Sequence, residues 1–412
     1  MTDTPSGMRP GSRIADQVPG SLGWRLIVAG SAHKFFNPVH PERAAMAAAI
    51  GRPFTDNAFE AWSANDFANY VLTTDLQPGD ASAITRILAS MERAGLLMSA
   101  GWDTRLPLLG QQYISQGSLS AQMSGYLWLS EVVGPDLIIQ AYKSVTVQIS
   151  AVDSPHWGSG LVLDEGHILT NKHVVRKLKD QRLEIVCPGW PESSTPHNFR
   201  CLDDHPDIDV AVIKVDPPSL KPTPGMVFRD PAWADEVFVL GYPRVAWMVD
   251  TGLILQRGEV VKPIAEVPAV VHDDAEPWDR PERTKMFLYS AIARPGNSGG
   301  PIVAHDGRVI GIVHESAELT DSFGVGPAEH APMSHATSQF PTLNAAWAEI
   351  LELVTCSAGH EDARPSQEDE PQRGATERAE PFYRGIPASE IRRALQHYGL
   401  ENLMTFEDPL NL

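Results

Sequence analysis

The chain has 412 residues, of which 42% are hydrophobic, and its formal net charge is −19. This length exceeds what one hydrophobic core supports, so the sequence predicts two or three structural units. An acidic surface argues against binding to nucleic-acid phosphates or to an anionic membrane. No run approaches the roughly eighteen consecutive apolar residues of a transmembrane helix.

The cysteine content and the first residues bear on the compartment. Three cysteines form no disulfide framework, and an odd number fits a reducing environment. The polar start of the chain lacks the apolar core of a secretory signal. We therefore expect a cytoplasmic protein. The sequence also shows no metal-ligand cluster, phosphate-binding loop or dinucleotide motif, so we expect no metal and no other cofactor.

The first third of the chain has the pattern of a mainly helical module. Residues 1–23 are interpreted as a flexible N-terminus and residues 24–125 as the module, because apolar residues repeat at helical spacing. Its helices are predicted at 41–50, 56–72 and 80–97, followed by a small hairpin of residues 96–98 and 106–109. This order resembles that of a winged helix, in pattern only.

Residues 126–355 change to short apolar runs between turns, which is typical of an all-β barrel or sandwich. The predicted strands are 145–149, 160–163, 183–187, 210–215, 237–240, 286–291 and 308–313. Residues 356–385 are acidic and poor in large apolar side chains, which predicts a disordered linker. Residues 386–412 form a short tail with one predicted helix.

The segment from Gly296 to Pro301 reads Gly-Asn-Ser-Gly-Gly-Pro. A nucleophilic serine needs backbone N–H groups that hold an oxyanion, and glycines let the chain turn so that its amides face one point. Ser298 is therefore the candidate nucleophile. An ordinary glycine-rich turn is the alternative, and the rest of the sequence has to decide between them.

Two further segments provide a base and an acid. A strand, a turn and a second strand lead into His173, and a general base needs such a rigid support. Asp209 directly precedes an apolar strand, where its carboxylate can accept a hydrogen bond from the imidazole N–H and fix the tautomer. The rival acids are Asp203, Asp204 and Asp207.

These segments together resemble the trypsin-like proteases of the HtrA type, whose catalytic residues follow in the order His, Asp, Ser. The resemblance covers roughly residues 138–350. It implies an all-β double β-barrel, with His173 and Asp209 on the first barrel and Ser298 on the second. It also implies an oxyanion hole formed by the backbone N–H groups of Gly296 and Ser298.

The same resemblance locates a primary specificity pocket, with Ile292 at its floor and His314 and Ser316 in one wall. A floor without a carboxylate predicts an apolar residue before the cleaved bond, because burying an unpaired charge there is costly. Members of this family usually carry a C-terminal PDZ domain and often a signal peptide, and we see neither. The segment 268–285 has the composition of an insertion.

Other interpretations remain open at this point. A catalytically silent relative could keep the barrel as a binding module. A winged-helix DNA regulator is a second alternative, but residues 80–109 hold as many acidic as basic side chains, which is not a phosphate-binding face. We expect the module to bind a regulatory or recruiting protein. Small modules fused to cytoplasmic trypsin-like proteases resemble bacterial conflict-system proteins that act in defence.

Overall fold

The computed structural model describes most of the chain in eleven ranges: 18–55, 60–74, 81–116, 124–152, 154–178, 182–188, 198–202, 205–245, 252–268, 283–314 and 382–407. All of them belong to one of two compact units, and the second unit, residues 317–380, lies outside the described residues. The N-terminal residues 1–17, most of the predicted linker, Asp203, Asp204 and Ser316 also lie outside them.

The N-terminal region is mainly helical, as predicted. Its elements are α1 (Leu22–Phe35), α2 (Arg43–Ala49), β1 (Trp62–Ser63), α3 (Ala64–Leu72), α4 (Ala81–Arg93), β2 (Leu97–Trp102) and β3 (Gln111–Ser115). The strands form a sheet in the order β1-β3-β2. The order along the chain is thus two helices, a strand, two helices and a hairpin, and β3 is the central strand of the sheet.

Two local predictions in this region differ from the structure. The helix predicted to run to residue 72 begins only at Ala64, because Ser63 and Asp66 form a capping box that starts it there. The second hairpin strand is β3 and not the apolar run 106–109. Leu109 has φ 59°, a left-handed conformation that cannot continue a strand.

A short segment joins the helical region to the β-rich body. It contains α5 (Ser130–Val133) and α6 (Pro135–Tyr142). Within it, Leu129 and Val133 pack into the N-terminal core, whereas Tyr142 packs into the core of the barrels. The Tyr142 hydroxyl donates a hydrogen bond to the Gly307 carbonyl at 2.9 Å. This segment therefore belongs to both hydrophobic cores.

The first barrel is a six-stranded sheet in the order β7-β4-β5-β6-β9-β8. Its elements are β4 (Thr146–Ala151), β5 (Trp157–Val162), β6 (His167–Thr170), α7 (Lys172–Lys177), β7 (Leu183–Val186), β8 (Asn198–Cys201) and β9 (Ala211–Asp216). The apolar residues of β4, β6 and β9, such as Val147, Leu169 and Val212, are buried in the hydrophobic core. Helix α7 begins directly after β6, because Asn171 leaves the strand as its N-cap.

The second barrel is closed, in the order β10-β11-β12-β15-β14-β13. Its strands are β10 (Glu236–Gly241), β11 (Ile254–Pro268), β12 (Arg283–Tyr289), β13 (Pro301–Ala304), β14 (Val309–His314) and β15 (Tyr383–Pro387), followed by α8 (Ala388–His397). The two barrels confirm the predicted fold class. None of the helices in the described ranges is both long enough and apolar enough to span a bilayer.

Strand β15 corrects one boundary. The composition predicts a linker up to residue 385, yet Gly385 pairs with both Phe287 on β12 and Val313 on β14. A Cβ at Gly385 would lie 2.5 Å from the Phe287 ring, so only glycine fits between the strand and that ring. The end of the predicted linker is therefore part of the second barrel.

Candidate active site

Hydrogen bonds join His173, on α7, to Asp209, in the loop before β9. His173 Nδ1 lies 2.6 Å from Asp209 Oδ2, and the His173 backbone N–H donates to Asp209 Oδ1 at 2.9 Å. The carboxylate thus holds both the ring and the main chain of the histidine. The rival Asp207 is exposed. Of the candidate acids that the structure describes, Asp209 is the one paired with His173.

The loop that carries Asp209 is fastened from two sides. From the first residue of α7, the Lys172 ammonium donates to the His205 carbonyl at 2.7 Å, and from its N-cap, Asn171 Nδ2 donates to the Asp209 carbonyl at 2.9 Å. From the end of α8, the Tyr398 hydroxyl accepts from the His205 N–H and donates to the Val210 carbonyl, each at 3.0 Å. These bonds fix the main chain on both sides of the carboxylate.

Ser298 lies on the other barrel but is anchored to the first. The Ser159 N–H on β5 donates to the Ser298 carbonyl at 2.8 Å, and the Ser159 hydroxyl donates to the Gly296 carbonyl at 2.7 Å. A Cβ at Gly299 would lie 2.3 Å from Thr170 Oγ1 and 3.0 Å from the Asn171 nitrogen. The serine loop therefore packs against the end of β6, next to the start of the helix that carries His173.

A tight turn precedes the serine. The Asn297 N–H donates to the Arg294 carbonyl at 2.9 Å, and Gly296 has φ 101°. A proline at the second position and a glycine with positive φ at the third are the features of a type II turn. This turn sets the direction of the Gly296 N–H, because the opposite orientation of the Pro295–Gly296 peptide would require negative φ at Gly296.

His314, predicted to form a pocket wall, lies against Asp209. Its Nε2 is 3.3 Å from Asp209 Oδ2, and its ring stands edge-on to the His173 ring with centroids 5.8 Å apart. Its side chain is only 4% exposed, against 25% for His173. One carboxylate oxygen of Asp209 therefore faces two imidazole rings. One potential ligand atom from each of His173, Asp209 and His314 lies within 4.8 Å of the other two ligand atoms.

The electrostatics of Asp209 follow from these contacts. Burial alone raises the pKa of a carboxyl group, because it disfavours the charged form. The charges of His173 and His314 and the hydrogen bonds from His173 outweigh burial, so the pKa of Asp209 lies below its ordinary value. The acid is thus ionised and suited to stabilise an imidazolium at His173.

Two predicted pocket residues remain. Ile292 is 45% exposed in the loop between β12 and Ser298, so its side chain is accessible to a bound peptide. Ser316, the other predicted wall residue, lies outside the described residues.

Three contacts of the site are not predicted from the sequence. They are the contact of His314 with Asp209 and the contacts of Lys172 and Tyr398 with the Asp209 loop. Lys172 directly precedes His173, so its place beside the site is visible in the sequence, although its partners His205 and Pro206 are not. The contacts of His314 and Tyr398 join residues about a hundred or more positions apart, and no local pattern reports them.

Part of the chain is similar to known proteins. Residues 158–312 match the family model of the trypsin-like peptidase domain. The chain is 32% identical over 159 residues to Protease Do-like 1, chloroplastic, of Arabidopsis thaliana, which is 38% of this chain and 32% of that protein. It is 32% identical over 172 residues to Serine protease HtrA-like of Staphylococcus epidermidis, covering 41% of this chain and 28% of that protein.

Among solved structures, the serine endoprotease from Yersinia pestis matches with a TM-score of 0.36 and 16% identity, over 65% of this chain and 66% of that one. The chain spans about a third of the length of the curated relatives given above. The segment that matches the trypsin-like peptidase domain includes His173, Asp209 and Ser298.

Proposed function

We propose that the chain is a serine endopeptidase that hydrolyses peptide bonds in a protein substrate. The pairing of His173 with Asp209 at 2.6 Å supports this most directly. Two further observations support it. The first barrel holds the Ser298 loop beside the helix that carries His173, and this segment matches the trypsin-like peptidase domain. No metal or cofactor is required for this chemistry.

In this mechanism Ser298 Oγ attacks the scissile carbonyl while His173 Nε2 takes its proton. Asp209 holds the other ring nitrogen and stabilises the imidazolium that forms. The backbone N–H groups of Gly296 and Ser298 stabilise the oxyanion. The imidazolium then gives its proton to the leaving amine, and water repeats the sequence on the acyl-enzyme.

The test is a set of substitutions measured with a cleavable peptide. Ser298→Ala and His173→Ala should each lower kcat by about 10⁶, and the double variant should lose little more, because the three residues act as a unit. Asp209→Asn should cost about 10⁴, since the wrong imidazole tautomer results. The matched control is Asp207→Asn, two residues away and exposed. If Asp207→Asn lowers kcat severely while Asp209→Asn lowers it only mildly, the assignment of Asp209 as the catalytic acid is wrong.

We also propose that the N-terminal module binds a regulatory or recruiting protein. Its hairpin exposes apolar side chains, with Trp102 at 50% and Leu108 at 78%. The end of α4, the helix that a DNA-binding winged helix inserts into the groove, instead faces the second barrel across a cavity of about 280 Å³ that includes Arg93 and Glu236. A partner in the cytoplasm, in a bacterial defence system, fits the sequence-based expectations.

This second proposal is tested by cross-linking the full chain in cells and identifying what it captures. Leu108→Ser should abolish capture of a specific partner. Val39→Ser, which changes a side chain that is 85% exposed on the same module, should not. Equal capture by both variants would exclude the hairpin as the contact.

A further inference from the structure

Asp209 Oδ2 faces the imidazole rings of both His173 and His314, whereas the proposed mechanism requires only the contact with His173. We propose that His173, Asp209 and His314 form a binding site for Zn²⁺, and that its occupancy switches the protease off. The metal site rests on the geometry alone, and only its effect on activity rests on the proposed function.

The donor set suits this ion. Two imidazole nitrogens and a carboxylate oxygen are common zinc ligands, whereas Mg²⁺ and Ca²⁺ prefer oxygen ligands throughout. Around a tetrahedral zinc with bonds of about 2.0–2.2 Å, neighbouring ligand atoms stand roughly 3.3 Å apart. Asp209 Oδ2 already lies 3.3 Å from His314 Nε2 and 2.6 Å from His173 Nδ1. One of these spacings is already met, and the three donor atoms all lie within 4.8 Å of one another, so coordination requires only small movements of the two rings.

The ligands are also held from behind. Asp209 Oδ1 keeps its hydrogen bond from the His173 N–H while Oδ2 faces the two rings, and Asn171 fixes the Asp209 main chain. His314 ends β14, where it pairs with Arg384 on β15. Ligands whose positions are fixed before binding lose little conformational freedom when the ion arrives.

Inhibition follows from the tautomer of His173 that zinc binding requires. In the catalytic state His173 carries its proton on Nδ1, and the lone pair on Nε2 accepts the proton of Ser298. A zinc ion that takes the Nδ1 lone pair requires the other neutral tautomer, with the proton on Nε2, so no proton is gained or lost by the ring. His314 likewise binds through Nε2 and keeps its proton on Nδ1. His173 can then no longer accept the proton of Ser298.

The loss should match that of an enzyme whose histidine is held in the wrong tautomer, about 10⁴ in kcat at saturating zinc. The same ion would not merely compete with substrate, because it changes the base itself. Dilution or chelation should restore the activity completely, since no covalent bond of the protein is altered.

Binding is measured first, on full-length Ser298→Ala, which keeps all three ligands and cannot digest itself. Titration calorimetry with Zn²⁺ and visible absorption with Co²⁺ should both give one ion per chain, with a tetrahedral cobalt spectrum. Adding His314→Asn should abolish the spectrum. The matched control is His167→Asn, which removes another histidine paired with an aspartate, at 2.9 Å from Asp164, outside the site.

Activity is measured second, on the unmodified chain with a fluorogenic peptide. Zn²⁺ should inhibit at the concentrations that fill the site in the first arm, EDTA should reverse it, and Mg²⁺ should do nothing. Absence of binding, or a cobalt spectrum that survives His314→Asn, overturns the proposal. Binding that leaves proteolysis unchanged overturns it as well. A chain that cleaves no peptide even without metal contradicts the proposed function, while the binding arm still decides the metal site.

Discussion

The turn before the nucleophile offers the sharpest test of the proposed oxyanion hole. Gly296 has φ 101°, and a Cβ there would lie 2.4 Å from the Tyr242 carbonyl oxygen and 2.8 Å from Trp157 Nε1. Gly296→Ala therefore meets both a backbone conformation that costs roughly 1–2 kcal/mol for an L-residue and a steric clash with main chain. The Pro295–Gly296 peptide relieves both by rotating, which turns its N–H away from the oxyanion.

The size of the effect follows from the loss of one hydrogen-bond donor. Removing one donor of an oxyanion hole lowers kcat by about 10²–10³, whereas KM should change little, because the interaction is made in the transition state. The assay is steady-state cleavage of a peptide, with thermal unfolding recorded on the same samples to confirm that the variant is folded.

Gly95→Ala is the matched control. Gly95, which follows α4, also has positive φ, 70°, but a Cβ there would meet no neighbouring atom of the described residues within 4 Å, so the control carries the backbone strain without the clash. It should lose some stability and keep its kcat. A folded Gly296→Ala variant with kcat within about threefold of the unmodified chain would refute the assignment of this turn.

Three further predictions follow from the site. Tyr398→Phe removes the hydroxyl that joins the two sides of the Asp209 loop, and should lower stability by about 1–3 kcal/mol and reduce kcat more than KM; a change in stability alone would make Tyr398 purely structural. Because the pKa of Asp209 is lowered in the fold, its ionised form stabilises the protein above the ordinary aspartate pKa of about 3.9, and that contribution disappears as pH falls through the folded pKa. The difference in unfolding free energy between the unmodified chain and Asp209→Asn should thus shrink as the pH falls below about 4; a difference that persists in acid contradicts this. A peptide library should show preference for an apolar residue before the cleaved bond, shifting toward Arg or Lys in Ile292→Asp; selection for Arg or Lys by the unmodified chain would refute the pocket assignment.

The parts of the site that the sequence predicts are those with strong local signals. The glycines around Ser298 and the strand–turn–strand segment before His173 fix backbone geometry over a few residues, and that geometry is visible in the residue types. Asp209 is the preferred acid because it abuts an apolar strand, and the structure pairs it with His173. Where local chemistry dictates the turn or the strand end, the sequence alone is sufficient.

The parts that the sequence does not predict depend on contacts between distant segments. Strand β15 contains Gly385 and Pro387, residues that argue against a strand, yet both suit their places beside β12 and β14. Similarly, the family resemblance assigns His314 to a pocket wall, and only the packing of β14 against the first barrel brings its ring to Asp209. Neither position carries a local signal of its tertiary partner.

The late position of β15 and Tyr398 in the chain has a consequence for when activity can appear. Residue 398 is made 100 residues after Ser298, which at about 5–20 residues per second corresponds to roughly 5–20 s of synthesis. During that interval the nascent chain already contains His173, Asp209 and Ser298, but its second barrel lacks the strand between β12 and β14 and its Asp209 loop lacks the Tyr398 hydroxyl. If the chain is the proposed peptidase, this order of synthesis delays assembly of its active site until α8 has been made, and so limits premature cleavage of the ribosome-bound chain and its neighbours.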